Sequence, residues 1–255
     1  MRIGIVLPDG RERELAGLAE RHGLFGVLAG AGNPLTAINA AVYASTATEF
    51  ARIAVRVALG LEHPVLIAEE LSVLDNSNNG RTIVLADAGE LDEDGAGDEI
   101  AVLREALASR PLQHEGPVWK VPAGLPANVT APTSISVTPK PAQLEVPFWV
   151  TGREAAAIAA RQGLAVLAHL PADAGSSRLV QPARDAITGD VARDRERVTT
   201  WARSGVSHLF VDLPDAPVED VMTTISRHLA PEVAMPNFPR VMSQSKVPAK
   251  WPGER

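Results

Sequence analysis

Short runs of aliphatic and β-branched residues alternate with amphipathic stretches along most of this chain, and this alternation limits its fold more than any other feature. The runs have strand length, and most of the stretches between them are long enough for a helix. This order is typical of βα units that place parallel strands side by side in one sheet. Seven runs are predicted as strands: residues 3–7, 24–29, 51–59, 81–86, 148–151, 164–170 and 207–213.

Helical periodicity fills most of the gaps between these strands. In residues 63–76, apolar side chains recur at helical spacing, and Pro64 stands in the first turn, where a missing amide costs little. Residues 30–49 are predicted as a loop with a short helical piece, and residues 110–146 as a long proline-rich loop. Helices are predicted over residues 12–22, 63–76, 98–109, 153–162, 190–204 and 218–229.

Composition narrows the functional classes. With 255 residues, 45% of them hydrophobic, the chain can bury one large core. Its net charge of −7 argues against nucleic acid as a partner, because such binding needs a basic face. The absence of cysteine excludes disulfides, cysteine-ligated metals and a thiol nucleophile. The apolar start of the chain is too short for a signal peptide or a membrane span, so we expect a cytoplasmic protein with no membrane partner.

The segment 61–86 carries the most specific motifs. These are His63-Pro64, Ala68-Glu69-Glu70, Leu74-Asp75 and Gly80-Arg81. In this order they resemble the third helix and fourth strand of the bacterial luciferase-like flavin-dependent oxidoreductases, which include F420-dependent enzymes. The resemblance implies an α/β fold of the (β/α)8 TIM-barrel type, FMN or F420 as cofactor, and a small organic molecule as substrate. It also implies a homodimer or pairing with a related subunit.

The resemblance covers most of residues 2–229, which predicts a barrel domain over residues 1–230, but it weakens near the seventh strand. Residues 171–188 are shorter than the corresponding part of the family, so the barrel is expected to be incomplete there unless residues 178–181 supply a short strand. Residues 231–255 have no period and are predicted as an extended tail.

Functional groups in such a barrel lie at the carboxyl ends of the strands. The resemblance assigns cofactor contacts to Leu59, Gly60 and Ala86 near two of these ends. A third end leads into Thr151-Gly152-Arg153, where helix amides and an arginine favour a phosphate, although an ordinary βα turn is an equal alternative. Thr188-Gly189 resembles another family turn, with simple helix capping by Thr188 or Asp190 as the alternative.

Two titratable residues are candidates for catalysis. His169 stands near the end of the sixth predicted strand, and Asp87 follows the fourth. Each has a structural alternative, a satisfied rim histidine and a solvent-facing loop acid. His63 is expected only to start a helix, and Glu62 stands where the family commonly has arginine.

Three hypotheses remain open at this stage. The first is an FMN- or F420-dependent oxidoreductase or monooxygenase. The second is a family member with reduced catalysis that binds a flavin or another ligand, or pairs with a subunit, and it rests on Glu62, the short segment 171–188 and the lack of a titratable group in residues 29–34. The third is an unrelated α/β protein with a chance motif.

Overall fold

The computed structural model describes residues 1–124, 130, 132–169, 179–181, 187–213 and 217–229. Eight parallel strands in this part of the chain form a closed barrel, and two short antiparallel strands, β5 and β6, lie outside it. The strands are β1 (Arg2–Val6), β2 (Gly26–Ala29), β3 (Arg52–Ala58), β4 (Thr82–Asp87), β5 (His114–Glu115), β6 (Lys120–Val121), β7 (Phe148–Thr151), β8 (Ala165–His169), β9 (Leu179–Gln181) and β10 (His208–Val211).

Among the described residues, helices follow seven of the eight barrel strands, all except β8, and most of them lie where the sequence pattern predicts. They are α1 (Glu12–Arg21), α2 (Ala37–Ser45), α3 (Pro64–Ser77), α4 (Glu93–Leu107), α5 (Ala155–Gln162), α6 (Val191–Arg203) and α7 (Val218–Thr224). A 3₁₀ turn (Pro34–Thr36) precedes α2, and a π-helical turn (Ile225–Leu229) follows α7. The (β/α)8 TIM-barrel prediction is confirmed.

The expected gap at the seventh strand is wrong, because the barrel is closed. The three residues of β9 pair in parallel with β8 on one side and with β10 on the other. The short strand predicted at 178–181 is therefore present from Leu179 onward, and residue 178 lies outside the described residues, as does the predicted tail at 231–255. Closure leaves no free edge in the sheet.

Two helices differ from the sequence prediction. The region 30–49 contains α2, which buries four alanines against its neighbours, so small side chains and close packing support a full helix where the apolar period was weak. Helix α4 starts five residues earlier than predicted, because Asp92 accepts a hydrogen bond from Gly95 N at 2.7 Å and caps an acidic first turn. This cap stabilises the start of α4, which the sequence pattern did not indicate because the first turns of the helix contain glycine.

The long loop 110–146 contains the β5–β6 hairpin, which the sequence did not indicate. Asp98 on α4 holds it, accepting hydrogen bonds from Trp119 N at 2.7 Å, His114 Nε2 at 2.7 Å and Val118 N at 2.9 Å. Burial alone would raise the pKa of Asp98, but these bonds together lower it. One buried carboxylate thus fixes the hairpin to α4.

Two hydrophobic clusters stabilise the molecule. The larger one lies between the barrel and its helices, and the smaller one fills the barrel interior. Interior space is tight, since a Cβ on Gly4 would lie 2.8 Å from the Phe210 ring and 2.6 Å from Gly26 O. The interior residues are Val6, Phe25, Leu28, Ala54, Ile83, Leu85, Trp149, Leu167, Leu179 and Phe210.

Candidate active site

A ring of polar side chains lies directly above the interior cluster at the carboxyl-terminal opening of the barrel, which we call the mouth. Side chains alternate along a strand, so each residue two places after an interior residue also faces inward. Six residues meet this condition after Ala54, Leu85, Trp149, Leu167, Leu179 and Phe210: they are Arg56, Asp87, Thr151, His169, Gln181 and Asp212.

An ion pair joins two neighbouring strands at the mouth. Arg56 Nη2 lies 2.8 Å from Asp87 Oδ2, and Arg56 Nε donates to the same oxygen at 2.9 Å. The other oxygen of Asp87 accepts from Gly89 N at 3.1 Å. Asp87, predicted as a catalytic acid, is therefore buried and held in a charge-assisted pair that orients Arg56.

His169 lies at the end of β8 and is exposed at the mouth. Partial desolvation lowers its pKa, the charge of Arg56 lowers it further, and the carboxylates of Asp212 and Asp87 oppose the shift. These effects identify Arg56, Asp212 and Asp87 as the charges that act on His169. The imidazole is neutral at physiological pH, and its ring nitrogens can accept or donate a proton.

The opposite side of the mouth carries an amide–carboxylate pair. Gln181, buried at the end of β9, donates from Nε2 to Asp212 Oδ2 at 3.0 Å. Thr151 Oγ1 donates to Leu167 O at 3.0 Å, so its hydroxyl hydrogen is used within the barrel wall. The mouth therefore combines a cation, two carboxylates, an amide and a neutral imidazole.

Groups near the end of β3 that were expected to contact the cofactor already make contacts within the protein. Gly60 N, predicted to contact the cofactor, donates to the buried carboxylate of Glu99 at 3.0 Å and 3.1 Å. Burial raises the pKa of Glu99, and the Gly60 hydrogen bond opposes the shift. The side chains of Leu59 and Ala86 lie in the outer core, facing the helices and not the mouth.

The backbone amides of the turn before α6 also already donate hydrogen bonds within the protein. Asp194 accepts from Thr188 N at 3.0 Å, from Thr188 Oγ1 at 3.1 Å and from Gly189 N at 2.8 Å. Asp190 caps α6, accepting from Ala192 N and Arg193 N. A carboxylate therefore already occupies the amides of a turn that the resemblance assigned to the cofactor.

The turn before α5 is different. Gly152 has φ +107, and a Cβ there would lie 2.9 Å from Gly89 N, so the turn packs on the loop after β4. Within the described residues, no acceptor takes a hydrogen bond from the amides of Gly152 or Arg153. The guanidinium of Arg153 pairs with Glu90 on the surface, where both side chains are exposed. The turn predicted to bind a phosphate therefore has amides that no acceptor in the described structure already uses.

Sequence reasoning missed Arg56, Gln181 and Asp212. A signal for Arg56 was available, since it follows Arg52 and Ala54 on alternate positions of an otherwise apolar strand. Gln181 and Asp212 carried no such signal, because their inward direction depends on where β9 and β10 begin.

The chain was compared with known proteins. The family model for luciferase-like monooxygenases matches residues 8–208. A search among curated proteins found no significant match. No helix among the described residues is long and apolar enough to cross a bilayer.

Three solved structures share the fold at low identity. The F420-dependent tetrahydromethanopterin reductase from Methanopyrus kandleri has a TM-score of 0.69 at 15% identity, covering 90% of this chain and 98% of that chain. The FMN-bound oxygenating constituent of 3,6-diketocamphane monooxygenase from Pseudomonas putida gives 0.66 at 14%, covering 92% and 99%. An F420-dependent secondary alcohol dehydrogenase, bound to an F420–acetone adduct, gives 0.71 at 14%, covering 91% and 98%.

At these identities the solved structures establish the fold alone, whereas the family model spans most of the chain. The closed βα barrel and this match lead to one conclusion: the chain belongs to the luciferase-like monooxygenase family.

Proposed function

We propose that the protein is an oxidoreductase that uses FMN or F420 and acts on a small organic substrate at the mouth. The observation that carries this proposal is the convergence of His169, the Arg56–Asp87 pair and the Gln181–Asp212 pair at one opening of the barrel. Family membership and the F420 and FMN enzymes among the structural neighbours support it.

The residues present fit a cofactor phosphate at one place. The amides of Gly152 and Arg153 point to no described acceptor, and the Arg153 guanidinium is held only by an exposed ion pair, which is worth little energy. A phosphate at the amino terminus of α5 would gain amide bonds and a charge-assisted contact. The turn at Thr188-Gly189 fits poorly, because the buried carboxylate of Asp194 would repel it.

When bound, FMN or F420 supplies the hydride-transfer or oxygenation chemistry. The chain itself supplies binding and proton handling. Neutral His169 can accept a proton from a substrate hydroxyl, or return one to an oxygen, at an imidazole nitrogen. Arg56, held in place by Asp87, can polarise a substrate oxygen, and Asp212 can accept a hydrogen bond from a substrate donor.

The test is a titration of the purified protein with FMN, reduced FMN, oxidised F420 and reduced F420, followed by absorbance and fluorescence. We expect one of these to bind, and Arg153→Gln to weaken it about tenfold, the loss of roughly one charge-assisted hydrogen bond. Arg161→Gln is the matched control, because Arg161 is also an exposed, ion-paired arginine but lies in the last turn of α5, away from the turn at its start. If the protein binds none of the four cofactor forms, the proposal is wrong.

One structural observation supports the second hypothesis, that the protein is a family member with reduced catalysis. Two of the four places where cofactor contacts were expected, at Gly60 and at Thr188-Gly189, are filled by the carboxylates of Glu99 and Asp194. Under this hypothesis the mouth binds a flavin or another small ligand without turning it over. Steady consumption of an electron donor that requires His169 would exclude it.

We also propose a homodimer through the surface of α2 and α3. Six of the eight large apolar side chains that are exposed in the described structure lie between residues 35 and 73: Leu35, Tyr43, Phe50, Leu61, Leu66 and Val73. A groove of about 400 Å³ runs between the two helices. Exposed apolar surface concentrated in one region favours burial against a partner.

Light scattering at micromolar concentration tests this dimer. We expect the double variant Leu66→Glu with Val73→Glu to be monomeric, because each carboxylate would have to be desolvated in the interface. Val118→Glu is the control, since Val118 is about equally exposed but lies in the turn between β5 and β6. A monomeric wild-type protein contradicts the proposal.

A further inference from the structure

Basic side chains gather at the amino-terminal end of the barrel, opposite the mouth. Arg2 lies at the start of β1, Arg52 at the start of β3, Arg81 just before β4 and His208 at the start of β10. Nothing in the proposed reaction uses them. Their hydrogen bonds decide which of these groups is already satisfied by the protein.

Arg81 is fully engaged. Its guanidinium donates to Asn78 O at 2.7 Å, to Ala51 O at 2.6 Å, and to Thr48 O and Thr48 Oγ1 at 2.8 Å and 2.9 Å. These carbonyl and hydroxyl oxygens compensate its burial. Arg81 is therefore a structural residue that connects the loop before β3 to the loop before β4.

Arg52 is much less well satisfied although it is buried. Only Nη1 is used, in long hydrogen bonds to Gln143 Oε1 at 3.3 Å and Gly80 O at 3.4 Å, and no described residue accepts from its Nε or Nη2. Burial lowers the pKa of Arg52 to about 10, with a further contribution from the charge of Arg2. Nε and Nη2 of Arg52 are not among the buried unpartnered atoms of the described residues, so these two donors reach solvent and are available to an anion.

Arg2 faces the same region from the other side of Phe25. Its guanidinium carbon lies 5.2 Å from the centre of the Phe25 ring, and Arg52 N donates to Phe25 O at 3.0 Å. The one polar side-chain contact of Arg2 among the described residues is His208 Nε2, at 3.5 Å from its Nη1. The guanidinium of Arg2 and the backbone of Arg52 thus lie on either side of Phe25, and the two side chains are near enough for the charge of Arg2 to act on Arg52.

The acid nearest to this group does not neutralise it by direct contact. The charge of Asp75 acts on Arg52, but the Asp75 carboxylate accepts from Gln143 N at 2.9 Å, Gln143 Nε2 at 2.8 Å and Thr82 N at 3.3 Å. No salt bridge to Arg2 or Arg52 is formed within the described part of the chain. Asp75 therefore offsets the charge of Arg52 only at a distance, and no carboxylate among the described residues contacts either guanidinium.

We propose that Arg2 and Arg52 form a binding site for a small oxyanion, a phosphate or the phosphate of a monoester, at the amino-terminal end of the barrel. Guanidinium forks match the spacing of phosphate oxygens. The anion would supply acceptors for the unused donors of Arg52 and would separate two like charges. The site is independent of the mouth and of any redox cofactor.

The test is calorimetric titration of inorganic phosphate and of glycerol 3-phosphate into protein kept in chloride at constant ionic strength. The protein carries Arg153→Gln, so that the turn before α5 does not contribute. We expect saturable binding of at least one anion, weakened about tenfold or more by Arg2→Gln. Arg52→Lys, which keeps the charge but not the fork, should weaken it to a similar extent. Tighter binding of glycerol 3-phosphate would identify an organic phosphate as the ligand of the site. Tighter binding of inorganic phosphate would identify the free ion as the ligand.

Arg13→Gln is the matched control, because Arg13 is an exposed arginine elsewhere on the surface. A second readout is the imidazole of His208, whose pKa, depressed by burial, by Arg2 and by the amino-terminal amine, should rise when phosphate binds nearby. Absence of saturable binding, or equal binding by Arg2→Gln and wild type with both folded by circular dichroism, would overturn the site.

Discussion

The individual residues at the mouth matter because of what their neighbours do to them. Asp87 and Arg56 neutralise each other, so neither behaves as an isolated charge. His169 lies among Arg56, Asp87 and Asp212, and desolvation and Arg56 outweigh the two carboxylates. The pKa of His208, at the opposite end of the barrel, is lowered as well, so both histidines favour the neutral form. Each shift predicts a pH dependence that can be measured.

Activity that depends on neutral His169 should persist to lower pH than an unperturbed histidine allows. The pKa of His169 is lowered, so the ring becomes protonated only below the usual value near 6.5, and the acid limb of kcat/KM should lie below that pH. The pH–rate profile measures this. His169→Gln should remove the limb and reduce the rate about 100-fold or more. His228→Gln, a surface histidine, should change neither.

His208 should make the fold less stable in acid. Burial, Arg2 and the amino-terminal amine lower its pKa to about 4, whereas the unfolded chain titrates near 6.5. Between these values the unfolded state binds more protons, so stability falls as pH decreases from 6.5 to 4, on the order of 2–3 kcal/mol in all. Urea unfolding at several pH values measures the loss.

His208→Gln should flatten this dependence relative to wild type, whatever its effect on absolute stability. An unchanged slope between pH 4 and 6.5 in the variant would show that His208 is not the group responsible. His22→Gln serves as the comparison, since His22 is a partly buried histidine that bonds Ser226 Oγ.

At the scale of elements, buried carboxylates fix the segments that carry no regular pattern. Asp98 holds the hairpin, Glu99 holds the end of β3, and Asp194 holds the turn before α6. Each accepts backbone amides from a segment distant in the chain or just outside its own helix. These contacts explain why irregular segments have defined positions, and why the sequence pattern did not reveal them.

Asp194→Asn should destabilise the protein by about 2 kcal/mol. The carboxylate uses both oxygens, whereas an amide keeps one acceptor and turns a donor toward Gly189 N or Thr188 N. Asp190→Asn is the matched control, because asparagine caps a helix about as well as aspartate and the change should be nearly neutral. Chemical denaturation compares the two, and equal effects would contradict the assignment.

At the scale of the whole molecule, closure of the barrel depends on backbone approach between strands. Gly26 on β2 lies so close to β3 that a Cβ would sit 2.3 Å from Arg52 O. Gly4 on β1 and Phe210 on the neighbouring strand β10 make a similarly tight contact. The closed sheet has little capacity to expand, because every strand is paired on both sides.

Gly26→Ala should therefore cost roughly 3 kcal/mol or more, at the upper end of overpacking effects, because backbone must move. Gly124→Ala is the control, since a Cβ there meets nothing within 4 Å and no unusual φ is needed. Thermal unfolding of both variants is the measurement. A normal melting temperature for Gly26→Ala would mean that β2 and β3 can separate without penalty.

The sequence by itself determined the parallel βα order, the helix start at His63-Pro64 and the membership suggested by residues 61–86, because these depend on local period and local capping. Only the tertiary structure decided that three residues at 179–181 suffice to close the barrel, since pairing on both sides stabilises a strand too short to be recognised alone. It also decided the composition of the mouth. Arg56, Asp87, His169 and Gln181 lie on four strands and Asp212 directly follows a fifth, and only barrel closure brings their side chains to one opening.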